Sequence, residues 1–160
     1  MRNSHMKVQI SVQKEDFDIG ALHQHMYADA PVIGAVASFV GLVRDFSERE
    51  GVIGLELEHY PGMTEKALHT ISADAAKRWP LNAVTIVHRI GPMKLGEQIV
   101  AVLVSSAHRE AAFEACAFIM DFLKVRAPFW KKELTAAGAH WVDAREKDTR
   151  RAAGWVSSGD

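Results

Sequence analysis

Cysteine is almost missing from this chain of 160 residues. The single cysteine, Cys116, cannot form an internal disulfide, and it lies among apolar residues with helical spacing. We interpret it as a small core residue rather than a nucleophile, and the chain as suited to a reducing cytoplasm. Long apolar runs are missing too. Runs such as Ile99 to Val104 are far shorter than the roughly 20 residues of a membrane-spanning helix, so no membrane partner is expected.

The sequence has no excess of charge of either sign. Its 19 Lys and Arg residues and 20 Asp and Glu residues give a formal net charge of -1 and a pI near 6.7. Without a global basic field, nucleic acid is not an expected partner, and any anion binding must be local. The length and the 48% hydrophobic content fit a single domain with a hydrophobic core.

Short motifs of metal and nucleotide chemistry are also missing. The 8 histidines show no HExxH spacing, and no CxxC pair is present, so no metal site is predicted. The sequence contains no GxGxxG or GxxxxGK[ST] phosphate loop and no GxSxG nucleophile elbow.

The apolar periodicity predicts an α+β fold with mainly antiparallel sheet, because strands and helices mix without a regular βαβ repeat. Residues 1–5 resemble a vector-derived remnant, so we expect one domain over 6–155 and a short tail over 156–160. The residues from about Asp143 are predicted to form a charged tail. Strands are predicted at 7–13, 34–44, 52–60, 83–91, 97–106, 129–134 and 139–142, and helices at 19–28, 61–79 and 107–124. Gly41 marks either a bulge or a close approach to a ligand. A hairpin connection is predicted at 92–96 and a mobile loop over Asp45 to Gly51.

Two cations stand where a helix dipole disfavours them. His108 and Arg109 fall in the first turn of the helix predicted from about Ala107 to Lys124, with Ser106 as its cap. In one interpretation Glu110 offsets this cost by itself. In the other, an anionic ligand binds the free N–H groups and Arg109 clamps it.

Other cations are candidates for the same anion site. Arg44 ends a strand, where its side chain either lies on the surface or points out at the rim of the sheet. Lys124 continues the helical stripe of Cys116 and Met120. It either extends to solvent or enters a partly desolvated pocket where its amine becomes reactive.

The segment from Leu123 to Glu133 concentrates lysines beside aromatic residues. Strand alternation puts Phe129, Lys131 and Glu133 on one face and Lys132 on the other. Only one of these two lysines can therefore easily point into a given pocket.

Six segments in this order resemble one known family. GAVASFVGLVR, LELEHYPGM, VHRIGPMKLGE, VLVSSAHREAAFEA, DFLKVRAPFWKKE and HWVDAR are similar to segments of the large, catalytic subunit of molybdopterin synthase. The similarity runs from roughly Lys7 to Trp155, and VxSxHR followed by LKxxAPxWKKE is far more specific than any single motif. The resemblance implies an α/β-hammerhead-like fold and a homodimer. Each protomer would bind one small ubiquitin-like sulfur-carrier subunit, which makes a heterotetramer.

The resemblance also implies a reaction. The carrier's Gly-Gly C-terminus, activated as a thiocarboxylate, donates sulfur to cyclic pyranopterin monophosphate, and two transfers form the dithiolene of molybdopterin. No metal or organic cofactor is required, because the sulfur arrives on the protein partner. Lys124 is expected at the reacting centre, with Lys131 assisting and His108 moving protons. The implied substrate contacts are Leu42, Val43, Arg44, His108, Arg109, Lys124, Lys131, Lys132 and Glu133.

Two other function classes remain open at this point. A non-catalytic anion- or RNA-binding module would use the aromatic and cationic segment as a stacking platform, with steep salt dependence and no need for a Gly-Gly-tailed partner. A scaffold subunit without catalysis is the other class, and the intact cationic set argues against it. Whether a lysine is acylated, and which protomer supplies each residue, stays open.

Overall fold

The computed structural model describes residues 6–29, 31–44, 51–142 and 146–157 of the chain. These residues form two four-stranded sheets and four α-helices, with a short 3-10 helix at Tyr27–Asp29. In chain order the elements are β1 (Lys7–Gln13), α1 (Ile19–Met26), β2 (Ala35–Leu42), β3 (Val52–His59), α2 (Met63–Arg78), β4 (Ala83–Arg89), β5 (Gly91–Lys94), β6 (Gln98–Ser106), α3 (Arg109–Arg126), β7 (Phe129–Thr135), β8 (Gly138–Val142) and α4 (Glu146–Ser157).

The first sheet has the strand order β1-β4-β6-β2, with β1 parallel to β4 and the other pairs antiparallel. Helices cover both of its faces. Leu68 and Ile71 of α2 and Ile119 of α3 pack on one face, and Met26 of α1 packs on the other. Because β6 is buried on both sides, its sequence is a continuous apolar run rather than an alternating one.

The second sheet has the order β5-β3-β7-β8 and is antiparallel throughout. Leu55 and Leu57 of β3 pack with Met93 of β5 and with Val43, which follows β2. The opposite face carries exposed side chains such as Trp141. This sheet therefore has one packed face and one face in solvent, as antiparallel sheets often do.

The predicted fold class, α+β with mainly antiparallel sheet, is confirmed. The bulge predicted at Gly41 is present as a break in the β2–β6 register, at a position where a Cβ would lie 2.8 Å from Val100. Asp18 caps α1 as expected, by accepting a hydrogen bond from the backbone N–H of Ala21 at 3.2 Å. Most of the loop predicted over Asp45 to Gly51 lies outside the described residues, and the domain limits at 6 and 155 stay predictions.

The predicted connection at residues 92–96 is wrong in part, because it contains strand β5. Gly91 has a φ of +80° and turns the chain out of the first sheet directly after β4. β5 then pairs with β3 in the second sheet, where Gly54 allows the close approach: a Cβ there would lie 2.2 Å from the carbonyl oxygen of Met93. β4 and β6 are antiparallel neighbours as predicted, but the link between them joins the two sheets.

The charged tail predicted from about Asp143 is also wrong. Residues Glu146–Ser157 form α4, which packs along α3. Trp155 contacts the rings of Trp79 and Phe118, and its indole N–H donates to Asp121 at 2.7 Å. The sequence indicated a tail because α4 is rich in charged residues and its apolar stripe is short.

Candidate active site

The start of α3 presents two exposed residues with basic side chains. His108 is the N-cap residue and Arg109 the first helical residue, so the helix begins two positions later than predicted from Ser106. The Ser106 hydroxyl instead donates to the carbonyl of Pro80 at 2.7 Å. His108 makes no side-chain hydrogen bond to the first turn, and Glu110 is the acidic residue in that turn. Both alternatives from the sequence, compensation by Glu110 or an anion on the helix N-terminus, fit this geometry.

The other end of α3 carries Lys124 in its last turn, beside a pocket of about 420 Å³. Cys116 and Met120 line this pocket together with Lys124, so the helical stripe predicted from the sequence does face one cavity. Lys124 is exposed there, at the mouth of a cleft between β2, α3 and α4. The pocket is lined by Ala37, Ser38, Phe39, Phe113, Cys116, Ala117, Met120, Asp121, Lys124, Asp148 and Arg151.

The thiol in this pocket is not reactive. Cys116 is buried, and its Sγ lies 3.7 Å from the carbonyl oxygen of Val102. Burial raises the pKa of the Cys116 thiol to about 11, so it stays protonated near neutral pH. The interpretation of Cys116 as a core residue is confirmed.

The lysines of β7 lie on opposite faces of the second sheet, as alternation predicted. Lys131 shares the inner face with Phe129 and with Glu133, whose side chain is buried. Lys132 lies on the outer face, where its Nζ is 2.9 Å from a carboxylate oxygen of Glu58 and 4.3 Å from the centre of the Trp141 ring. The charge of Lys132 is therefore held by neighbours on the solvent side of the sheet.

The three residues predicted at the end of β2 have different environments. Leu42 is exposed, and Arg44 is exposed just beyond the strand. Val43 is buried, and both of its backbone groups are engaged, by Glu97 at 2.8 Å and Gly96 at 2.6 Å. Arg44 is thus the charged and exposed residue of this group, while the Val43 side chain belongs to the core.

These residues form two separate groups within one chain. Arg109 begins α3 and Lys124 lies in its last turn, so at about 1.5 Å per residue roughly 22 Å of helix separates their Cα atoms. β2 and α3 start side by side, since a Cβ on Gly34 would lie 2.0 Å from the carbonyl oxygen of Ala107. Arg44, beyond the far end of β2, therefore lies toward the Lys124 end of the molecule.

The sequence did not predict that α4 forms one wall of the pocket. Arg151 of α4 donates to Asp121 of α3 at 3.1 Å, and Asp148 lines the same cavity. Phe39, which is 42% exposed, and Phe113, which is 67% exposed, are the aromatic residues of its lining. Exposed aromatics on a strand and on a helix are a signal of a binding surface, but only the fold shows that they face one another.

The fold and these residues define an α+β domain with basic side chains at both ends of α3 and a pocket of about 420 Å³ beside Lys124. Residues 12–126 match the family model described as MoaE protein, and the chain belongs to that family. A molybdopterin synthase catalytic subunit of Vibrio cholerae is 55% identical over 150 residues, covering 94% of this chain and 99% of the relative. Another, of Ralstonia nicotianae, is 56% identical over 146 residues, covering 91% and 83%.

A solved structure is also similar to this chain. The molybdopterin biosynthesis MoaE protein from Burkholderia ambifaria superposes with a TM-score of 0.80 at 50% identity, covering 93% of this chain and 98% of that one. The resemblance noted in the sequence is confirmed, and the chain is an enzyme component of molybdenum cofactor biosynthesis. Among the described helices, none is long and apolar enough to cross a membrane.

Proposed function

We propose that this chain is the catalytic subunit of a cytoplasmic molybdopterin synthase and acts as a sulfurtransferase. Sulfur would pass from the C-terminal thiocarboxylate of a small ubiquitin-like carrier to cyclic pyranopterin monophosphate. The observation that carries this proposal is the 55% identity to a catalytic subunit over 94% of the chain, a span that includes every candidate cation. No metal or organic cofactor takes part in this scheme.

Lys124 suits the reacting centre because it stands at the mouth of a largely apolar pocket. The thiocarboxylate sulfur would attack a pterin carbon, and the carbon–oxygen bond at that carbon would break, with the oxygen leaving as water after protonation. The carrier is then attached to the pterin as a thioester. Water would then attack the carbonyl carbon, the carbon–sulfur bond to the carrier would break, and the carrier would leave as a carboxylate. The Lys124 ammonium would stabilise the oxyanion of that step, with Lys131 assisting from the inner face of β7.

The phosphate of the pterin needs fixed cations, and three candidates have suitable positions. Arg109 and the N-terminal N–H groups of α3 form one anion site, with His108 beside it to move protons. Arg44 lies toward the Lys124 end and would clamp an anion there. Guanidinium groups bind phosphate with two parallel hydrogen bonds, which fixes orientation as well as charge.

The separation of these groups supports a site built from two protomers. About 22 Å of helix lies between Arg109 and Lys124, which is longer than one pterin phosphate. A homodimer that brings the start of α3 of one protomer to the end of α3 of the other would unite them. A two-fold axis would create two such sites, and one carrier at each site gives the heterotetramer.

The remaining substrate contacts are weaker in this geometry. Lys132 is held by Glu58 and Trp141 on the outer face, so its contribution would come mainly from its backbone. This pairing also argues against an RNA-binding module, because the lysine beside the exposed Trp141 ring already has its charge paired with Glu58. Leu42, Val43 and Glu133 would shape the walls of the site rather than take part in the chemistry.

Incubation of the purified chain with thiocarboxylated carrier and cyclic pyranopterin monophosphate tests the proposal. Mass spectrometry should detect the dithiolene product and carrier with a plain carboxylate terminus. Carrier with an unactivated carboxylate is the matched control and should give no product. Absence of product with the thiocarboxylated carrier, while both proteins remain folded and bind each other, would contradict the proposed function.

A further inference from the structure

His88 is a buried, titratable residue to which the mechanism above gives no task. It lies on β4 and is 4% exposed. Its Nδ1 is 2.9 Å from the backbone carbonyl oxygen of Arg89. Because a carbonyl can only accept, Nδ1 carries the hydrogen, and in the neutral ring Nε2 is left as an acceptor. This contact fixes both the tautomer and the orientation of the ring.

The flat face of His88 holds the start of β7. The rings of His88 and Phe129 are stacked, with centroids 3.9 Å apart and planes 20° apart. Phe129 is the first residue of β7 and follows Ala127 and Pro128, the link that ends α3. His88 therefore anchors the junction between the last turn of α3 and the first residues of β7.

Both candidate lysines are attached to this junction. Lys124 lies in the last turn of α3, close enough for its charge to act on His88. Lys131 lies two residues after Phe129 on the same face of β7. His59, the cross-strand neighbour of Phe129, closes the group on the β3 side and lies 3.3 Å from the hydroxyl of Thr64.

We propose that His88 is a positioning residue for sulfur transfer: by holding Phe129 it sets the spacing between Lys124 and Lys131. The effect on sulfur transfer rests on the proposed function. The arrangement of His88, Phe129, Lys124 and Lys131 does not depend on it. A displacement of Phe129 would move the start of β7 relative to α3 and separate the two lysines. Small misplacements of reacting groups reduce rates strongly.

The positioning role requires His88 to be neutral. Burial is the main cause that lowers its pKa, to about 4, and the charges of Lys124 and His59 act in the same direction, against the hydrogen bond to Arg89. A neutral ring beside Lys124 adds no second positive charge to a centre where the lysine must face a thiocarboxylate. A lysine or arginine at this position would repel Lys124.

Single-turnover sulfur transfer with saturating carrier and pterin tests the role in catalysis. His88→Leu and Phe129→Leu should each reduce the rate on the order of tenfold or more, with carrier affinity unchanged. The double variant should be no slower than the slower single variant, because both act through one contact. Phe129→Tyr keeps the ring and should retain most of the rate.

Ile86→Ala is the matched control, since Ile86 lies two residues before His88 on the same strand and is fully buried. It should lower stability without slowing the single-turnover step. If Ile86→Ala slows the step as much as His88→Leu does, or if the double variant shows the product of the two single losses, the positioning role is wrong.

Imidazole NMR tests the arrangement without any turnover. In the folded chain His88 should be neutral near pH 6 with the proton on Nδ1, and Lys124→Ala should raise its titration midpoint while Lys77→Ala on α2 should not. A His88 ring with its proton on Nε2, or one already protonated near pH 6, would overturn the inference. A chain that passes this test but transfers no sulfur would overturn the proposed function instead.

Discussion

At the scale of single residues, Lys124, Lys131 and Lys132 lie close in sequence but in three different environments. Lys124→Ala should reduce turnover by about two orders of magnitude or more, the scale for loss of one oxyanion stabiliser. Lys131→Ala should reduce it less. Lys132→Ala should have the smallest effect, because its charge is paired with Glu58 on the outer face. Single-turnover transfer by the three folded variants gives the ranking, and equal damage from Lys132→Ala and Lys124→Ala would refute the argument from strand faces.

Arg109 should affect the two ligands differently. Arg109→Ala is expected to weaken pterin binding by about 1.5–3 kcal/mol, the scale of one charge-assisted hydrogen bond, and to leave carrier binding nearly unchanged. Lys77→Ala, an exposed cation on α2, is the control and should change neither affinity. Calorimetry with each ligand separates the cases, and equal losses for pterin and carrier would speak against a phosphate contact.

His88 should make stability depend on pH. The pKa of His88 is about 4 in the folded chain and close to 6.5 in the unfolded chain, so below pH 6.5 the unfolded state binds a proton that the folded state excludes. Stability should therefore fall as the pH drops, by about 2 kcal/mol between pH 7 and pH 5. His88→Phe keeps an aromatic ring against Phe129 and should flatten this part of the curve. Urea unfolding at several pH values measures it, and an equally steep curve for the variant would show that another group is responsible.

Single residues were predicted well where local chemistry alone decides. The alternation that separates Lys131 from Lys132 and the stripe that carries Lys124 follow from strand and helix periodicity. His88 could not be assigned a role, because its stack with Phe129 joins residues far apart in the chain. Only the tertiary fold brings β4 to the junction between α3 and β7.

At the scale of elements, α4 should contribute stability as well as a pocket wall. Trp155→Ala removes contacts with Trp79, Phe118 and the guanidinium of Arg78, which lies 5.4 Å from the ring centre. Because Trp155 is partly buried, the loss should be about 3 kcal/mol, the low end for truncation of a Trp. Val156→Ala, at a side chain 67% exposed in the same helix, is the control and should change little. Urea unfolding of both variants tests this. A loss below about 0.5 kcal/mol for Trp155→Ala would mean that α4 is not docked as described.

Elements with strong local signals were predicted from the sequence, and those that depend on distant partners were not. Alternation of apolar and polar residues predicted β1, and the N-cap Asp18 predicted α1. Two short strands around a turn predicted β7 and β8. β5 was missed because its four residues form a strand only by pairing with β3. α4 was missed because its apolar stripe is short and gains its stability from α3.

At the scale of the whole molecule, our proposal places the site between two protomers. Its cations lie in two groups, around Arg109 and around Lys124, at opposite ends of α3. The residues of the site were predicted from a resemblance to a family, and that assignment stays a prediction. The helix predicted from Ala107 to Lys124 already separates Arg109 from Lys124 along its length. The position of Arg44 toward the Lys124 end follows only from the packed structure, in which β2 and α3 start side by side.

The most direct test of the account is sulfur transfer by a mixed dimer. One protomer carries Arg109→Ala and the other Lys124→Ala, with different tags so that the heterodimer can be purified, and the pterin concentration is kept below KM. If each site takes Arg109 from one protomer and Lys124 from the other, the heterodimer has one intact site and one site with both changes. It should then show about half of the wild-type activity, while each mutant homodimer shows almost none. A heterodimer as inactive as the homodimers would contradict a site shared between two protomers.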